Sequence, residues 1–188
     1  MEIKEIAEHS VCLELLPEKS NVLDLGCRGF LFSEAMEDLG HKVYAIDIDD
    51  FPNRNYYKLA ISDKDGFCSV VHTSDPQAKH ISEGGDLKKM TIDSFSKMVN
   101  VDKWDLIKID IEGEEIPILK SLNHPVAKQL SVEFHAHCVP SQTKESLDEL
   151  IDWLSQWYNV YNRNWITMHG VSENRSEEHT SELQSRSA

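Results

Sequence analysis

Long apolar runs are missing from this chain, and with them the roughly 20 consecutive apolar residues that a membrane-spanning helix needs. Positive charge is scarce: 19 Lys and Arg stand against 33 Asp and Glu, a formal charge of −14. Nucleic acid and anionic membranes both demand basic patches, so neither is expected as a partner. Cysteine is sparse, and Cys12, Cys27, Cys68 and Cys138 show no Cys-x-x-Cys spacing. The first residues carry no basic-then-apolar leader pattern, and together these features set the expectation of reduced thiols and a cytoplasmic location. A length of 188 residues suits one α/β unit with a substantial core and is short for two.

Against that background Asn21-Val22-Leu23-Asp24-Leu25-Gly26-Cys27-Arg28-Gly29-Phe30 stands out, an apolar run ending in an acid and two spaced glycines. A buried parallel strand reads as such a run, and a glycine-rich turn after it lets backbone approach a ligand at the next helix's N-terminus. Asp24 then selects the ligand. A carboxylate directly before the first glycine repels the pyrophosphate of a dinucleotide, whereas S-adenosylmethionine offers an ammonium and a sulfonium that it attracts. The carboxyl group of that cofactor suits helix N-terminal amides. The turn residues Gly26, Cys27 and Gly29 are therefore read as cofactor contacts beside Asp24.

Along the chain, residues 3–16 read as a helix broken by Pro17, 22–25 as a strand, 30–39 as a helix stopped by Gly40, and 41–47 as a second strand closing a βαβ unit. Asp47 lies where an acid meets ribose hydroxyls, next to Ile48, with Asp49 and Asp50 as near alternatives. Residues 57–61 read as a third strand ending in Ser62-Asp63, placed to meet adenine. Residues 66–73 suit an added strand, and 74–85, with Pro76 and paired glycines, a loop. Helix 93–98, strand 104–110, helix 114–122, strand 129–134 and amphipathic helix 143–157 follow, and 159–161 with 165–168 suit a final antiparallel pair. The alternation implies a Rossmann-like, doubly wound, mostly parallel sheet with an antiparallel last strand over 1–171. Residues 172–188 are too polar to bury a core and read as a disordered tail. Arg175 to Arg186 also resembles translated sequencing-adapter read-through, with the expectation that a native C-terminus is missing.

The chain also resembles the FkbM-type methyltransferases. The likeness is carried by Ala60-Ile61-Ser62-Asp63-Lys64-Asp65-Gly66, Thr91-Ile92-Asp93-Ser94-Phe95, Asp105-Leu106-Ile107-Lys108-Ile109-Asp110-Ile111-Glu112-Gly113-Glu114-Glu115 and Val132-Glu133-Phe134-His135. Together with the first turn these run in consistent order from about 21 to 135. The resemblance implies a class I methyltransferase fold, S-adenosylmethionine as donor, and transfer to an oxygen of a sugar, lipid or other small molecule. Cys27-Arg28 stands where the family more often has Ala-Asn, and Ile46-Asp47 where Glu-Pro is common.

In a doubly wound sheet, ligands bind beyond the carboxyl ends of the strands at the switch point. Asp24, Asp110 and Glu133-Phe134-His135 fall at three such ends. Methyl transfer to an alcohol needs alignment and a base, and His135 is read as that base because imidazole titrates near neutrality. Asp110, Glu112 and Glu133 join it as catalytic candidates that orient the base or the substrate hydroxyl, Asp110 also facing the cofactor. No metal ligand is assigned. The same four residues nevertheless suit magnesium or manganese as an alternative, and His135-Ala136-His137-Cys138 is too short to close a zinc site alone.

Each residue has a plainer reading as well. Gly26 and Gly29 make a tight turn, Asp110 and Glu112 cap the next helix, His135 ends a strand, Cys27 fills a small space, and Leu154 with Trp153 and Trp157 belongs to the core. An NAD-linked oxidoreductase of the same fold and a non-catalytic cofactor-binding module are the competing functions.

Overall fold

The computed structural model describes residues 2–72, 79–135, 143–161 and 182–185. It begins not with a helix but with a hairpin, β1 (Lys4–Ile6) and β2 (His9–Val11), paired antiparallel with Ile6 opposite His9. The turn residues Ala7 and Glu8 both have positive φ, 47° and 70°. A two-residue turn of that hand matches strand twist, and neither residue advertises it, so the helical spacing of the flanking apolar residues misleads. A 3-10 turn, Leu13–Leu15, follows. Buried Gln129 clamps the hairpin's exit, its Oε1 accepting from Cys12 N at 2.7 Å and its Nε2 donating to Cys12 O at 3.4 Å.

The main sheet uses β3 (Asn21–Leu25), β4 (Lys42–Asp47), β5 (Tyr57–Lys58), β10 (Trp104–Ile109), β11 (Ala127–Val132), β12 (Tyr158–Tyr161) and β13 (Glu182–Ser185). Their order is β12-β13-β11-β10-β3-β4-β5. From β11 through β5 neighbours pair parallel; β13 pairs antiparallel with both β11 and β12. This is the expected doubly wound sheet. The chain leaves β3 toward β4 and returns on the other side at β10, which opens a crevice at their carboxyl ends. The antiparallel partner of β12 comes from 182–185, within the segment expected to be disordered, where backbone hydrogen bonding between two strands accepts a polar sequence. Residues 165–168, expected as that partner, and the rest of 172–188 lie outside the described residues.

A second sheet, ordered β6-β9-β7-β8, is built from β6 (Ala60–Ile61), β7 (Gly66–His72), β8 (Lys79–Glu83) and β9 (Leu87–Met90). The expected third strand over 57–61 thus divides at Leu59 between two sheets. Part of the expected loop over 74–85 is strand β8, paired antiparallel with β7 from Cys68 opposite Glu83 to His72 opposite Lys79. Its residues are polar apart from Ile81 and are half-buried or exposed without alternation, so no period-2 apolar signal marks the strand.

Helices cover both faces. On one, α1 (Leu31–Asp38) sets Phe32 and Met36 against Val11, Val22 and Leu106. On the other, α2 (Ile92–Val99), α3 (Glu115–Ser121) and α4 (Lys144–Leu154) pack on Leu23, Leu25, Ile107, Ile109 and Leu130. Adjacent strand residues thus serve opposite cores, as a sheet buried on both faces requires. Trp104 stacks on Phe95 at 6.2 Å and donates to Ser96 Oγ at 2.8 Å. Thr91 caps α2 by accepting from Ser94 N at 3.1 Å, while Asp65 takes Thr91 N and Ser94 Oγ at 2.8 and 2.6 Å, which explains three polar residues of the family-like pattern. Leu154 is in the core and Trp157 packs against it, whereas Trp153 is exposed. No helix among the described residues is long and apolar enough to cross a membrane.

Candidate functional site

Gly26 follows β3 with φ +79°, and a Cβ there would lie 1.8 Å from the Asp110 carbonyl oxygen. Absence of a side chain therefore lets the turn after β3 lie directly against the end of β10. Two cavities open around this contact. The first, about 350 Å³, is lined by Asp47, Ile48 and Asp49, by Leu59 to Ile61, by Lys79, His80 and Ile81 of β8, and by Glu112 and Glu114. The second, about 290 Å³, is lined by His9, Asp24, Cys27, Phe32, Lys108 and Glu133, among others. Glu8, Gly26, Arg28 and Asp110 belong to both.

Asp47 is nearly buried, and burial pushes its carboxyl up, countered in part by the Asp49 amide that donates to Oδ1 at 2.9 Å. Its two alternatives separate: Asp49 lines the cavity but is held by Lys79 Nζ at 2.6 Å, and Asp50 lies outside it, paired with Lys58 at 2.6 Å. Ser62 and Asp63 do not line the cavity. The Ser62 hydroxyl instead contacts Glu114 Oε2 at 3.0 Å and Asp63 Oδ1 at 3.1 Å, and Glu114, raised by burial, faces the cavity in their place.

Asp24 is fully buried and lies opposite Lys108 in the β3–β10 register. Its Oδ2 accepts from Ser33 Oγ at 2.5 Å and its Oδ1 is 3.1 Å from Lys108 Nζ. An acid balanced in this way attracts a cation in the turn less strongly than the sequence argument assumes. Lys108 also donates to Gly26 O at 2.7 Å and meets Asp110 Oδ2 at 3.2 Å, and those anions overcome the effect of burial and keep its pKa high. Cys27 lines only the second cavity, its thiol pushed far up by burial and by Asp24 and Asp47. Gly29 lines neither cavity; its φ of +77° shapes the turn.

Asp110 sits between three cationic or imidazole groups, with His9 Nε2 at 3.5 Å, Lys108 Nζ at 3.2 Å and His135 Nε2 at 3.4 Å. Burial alone would raise its pKa, but these neighbours pull it well below the usual carboxylate range. His135 is buried and lines neither cavity. Its Nδ1 meets fully buried Glu115 at 2.9 Å, and Nε2 lies 3.8 Å from both Glu112 and Glu133. Burial would lower the His135 pKa; the bond to Glu115 and the surrounding carboxylates overcome it and push it up to about 9. An imidazole that already holds its proton at neutral pH is poorly suited to accept another.

The structure thus gathers Gly26, Asp47, Ile48, Asp110 and Glu112 around one cavity and Asp24, Cys27 and Glu133 around its neighbour. It adds His9, Arg28, Lys108 and Glu114, which sequence reasoning did not select. His9 was hidden by the mistaken helix, while Lys108 and Glu114 were in plain view within 105–115. His137 and Cys138 lie outside the described residues. Compared with known proteins, residues 27–161 match the family described as Methyltransferase FkbM domain. No curated protein and no solved structure matches the chain.

Proposed function

The chain belongs to the FkbM methyltransferase family, and from that premise we propose that it moves a methyl group from S-adenosylmethionine to an oxygen of a small-molecule, sugar or lipid acceptor. The observation that carries this reading is the pair of cavities meeting at Gly26, Arg28 and Asp110, one for donor and one for acceptor. A volume of about 350 Å³ suits a nucleoside-sized ligand. Its lining suits one too: Asp47 accepts from ribose hydroxyls, and Leu59, Ile61 and Ile81 offer apolar surface to the purine. Arg28 complements a carboxylate and Asp110 an ammonium, the two charged ends of the methionine moiety.

When bound, S-adenosylmethionine supplies an activated methyl carbon. The protein's own part is alignment and proton removal. His135 keeps its proton and acts as a positioning residue, fixing Asp110 and Glu115. Removal of an acceptor proton then falls to Glu133 and His9, which face the second cavity, while Asp110, held strongly ionised by its cationic neighbours, serves the cofactor's ammonium. The acidic surface favours acceptors other than nucleic acid or an anionic membrane.

Calorimetric titration with S-adenosylhomocysteine and separately with NADH tests this reading. Micromolar binding of the first alone, followed by methylated product from a panel of hydroxylated acceptors, is expected. NADH binding in its place would overturn it in favour of an oxidoreductase, and cofactor binding without turnover on any acceptor would favour a non-catalytic module.

A further inference from the structure

Two polar atoms of residues lining the first cavity have no hydrogen bond among the described residues. His80 Nδ1, on β8, is fully buried without a partner. Glu114 gives only one oxygen to the protein: Oε2 accepts from the Ser62 hydroxyl at 3.0 Å, which leaves Oε1 over. We infer that these two side chains read the base of the methyl donor, Glu114 Oε1 accepting from the 6-amino group of adenine and His80 Nδ1 donating to a ring nitrogen next to it. The inference deepens the methyl-transfer reading and rests on it.

The surroundings suit a purine. Leu59, Ala60, Ile61 and Ile81 make much of this wall apolar, and a ligand cavity of that kind uses a few convergent polar groups to fix orientation. His80 reaches it from the second sheet, where it lies opposite Val71, and Glu114 from the turn between β10 and α3. Lys79, next to His80, donates to both Asp49 carboxylate oxygens at 2.6 Å, and the Asp49 amide donates to Asp47 Oδ1 at 2.9 Å. Strand β8 is thereby tied to the acid assigned to the ribose, which fixes His80 at the same cavity.

A carboxylate and an imidazole N–H present an acceptor and a donor. Adenine presents the complement, an amino donor flanked by the ring acceptors N1 and N7. Hypoxanthine has a carbonyl at position 6, so the carboxylate would meet oxygen where it needs an N–H, and a polar group built to pair would be left unpaired. Burial pushes the Glu114 carboxyl up and the Ser62 hydroxyl opposes this; a second donor on Oε1 acts in the same direction as Ser62.

Calorimetry of the full chain with S-adenosylhomocysteine and with S-inosylhomocysteine, whose base carries a carbonyl in place of the 6-amino group, tests the assignment. The unsubstituted chain is expected to prefer the adenosyl ligand by at least ~10-fold. Glu114→Gln, whose amide can accept from an amine or donate to a carbonyl, should largely erase that preference. His80→Phe, which keeps a ring without its nitrogens, should weaken S-adenosylhomocysteine binding by roughly 3- to 10-fold. Circular dichroism of the same samples separates loss of fold from loss of ligand. Equal affinity of the unsubstituted chain for the two ligands would overturn the assignment whether or not either variant folds. So would an unchanged preference in folded Glu114→Gln, or unchanged affinity in folded His80→Phe, and each of these leaves the methyl-transfer reading standing. Binding of neither ligand by the unsubstituted chain would instead remove the donor reading on which the site rests.

Discussion

Lys108 and Asp24 face each other across the parallel register of β10 and β3 and close a 3.1 Å ion pair, with side chains 3% and 0% exposed. Truncating one partner strands a buried charge, which typically costs about 3–5 kcal/mol. Lys108→Met is therefore expected to lower unfolding free energy by that amount. The double variant Lys108→Met with Asp24→Leu should recover much of the loss, because the fully buried carboxylate goes with its partner and Asp110 keeps His9 and His135. Urea unfolding of the three proteins is the measurement, and a double variant as unstable as the single one would show that the charge pair is not the cause.

His135 predicts an alkaline loss of stability. Its folded pKa of about 9 lies above the ordinary 6.5, so protonation favours the folded state. The contribution is complete below about 6.5 and disappears as pH rises through about 9, with a size on the order of 3 kcal/mol. His135→Gln should be less stable than the unsubstituted chain at pH 6 and converge with it near pH 10. Unfolding curves that stay parallel across this range would remove the proton from His135.

Asp47 predicts a binding effect with little change in stability. Its carboxyl sits at the end of β4 on the first cavity, where two ribose hydroxyls suit a carboxylate acceptor. Hydrogen bonds to a charged group contribute about 1.5–3 kcal/mol, so Asp47→Asn should weaken S-adenosylhomocysteine binding by roughly 10- to 100-fold in calorimetry. Asp50→Asn, outside the cavity, should leave it unchanged. Equal effects of the two would refute the ribose assignment.

The central sheet was legible because buried parallel strands write themselves as apolar runs: Val22 to Leu25 and Leu106 to Ile109 could hardly be anything else, and the acids that end them mark the ligand side. The N-terminal hairpin was not. Ile3, Ile6, Leu13 and Leu16 happen to keep a helical spacing, and the Ala7-Glu8 turn lacks the glycine or asparagine that announces positive φ. That local error had a functional consequence, since it concealed His9, whose approach to Asp110 spans most of the sequence. The protonation of His135 was hidden for a different reason. Position at a strand end was readable, but the fully buried Glu115 that holds its proton comes from α3, and no periodicity foretells which carboxylate a fold turns inward. Strand β8 was lost to its own polarity and to the proline and glycines around it.

Gly26 and Gly29 look equivalent in sequence and share nearly the same backbone, φ +79° and +77°, yet their surroundings differ. At Gly29 a Cβ meets nothing within 4 Å, so Gly29→Ala bears only the left-handed strain of roughly 1–2 kcal/mol. At Gly26 the same strain is joined by a collision with the Asp110 carbonyl, 1.8 Å away, in backbone that cannot turn aside. Gly26→Ala should therefore cost about 2–5 kcal/mol and push the turn from β10, widening the place where the two cavities meet. Cofactor affinity should fall in the Gly26 variant and persist in the Gly29 variant, measured calorimetrically at a temperature where both remain folded. Equal affinities would mean that the contact between these strand ends holds the fold together without shaping the site.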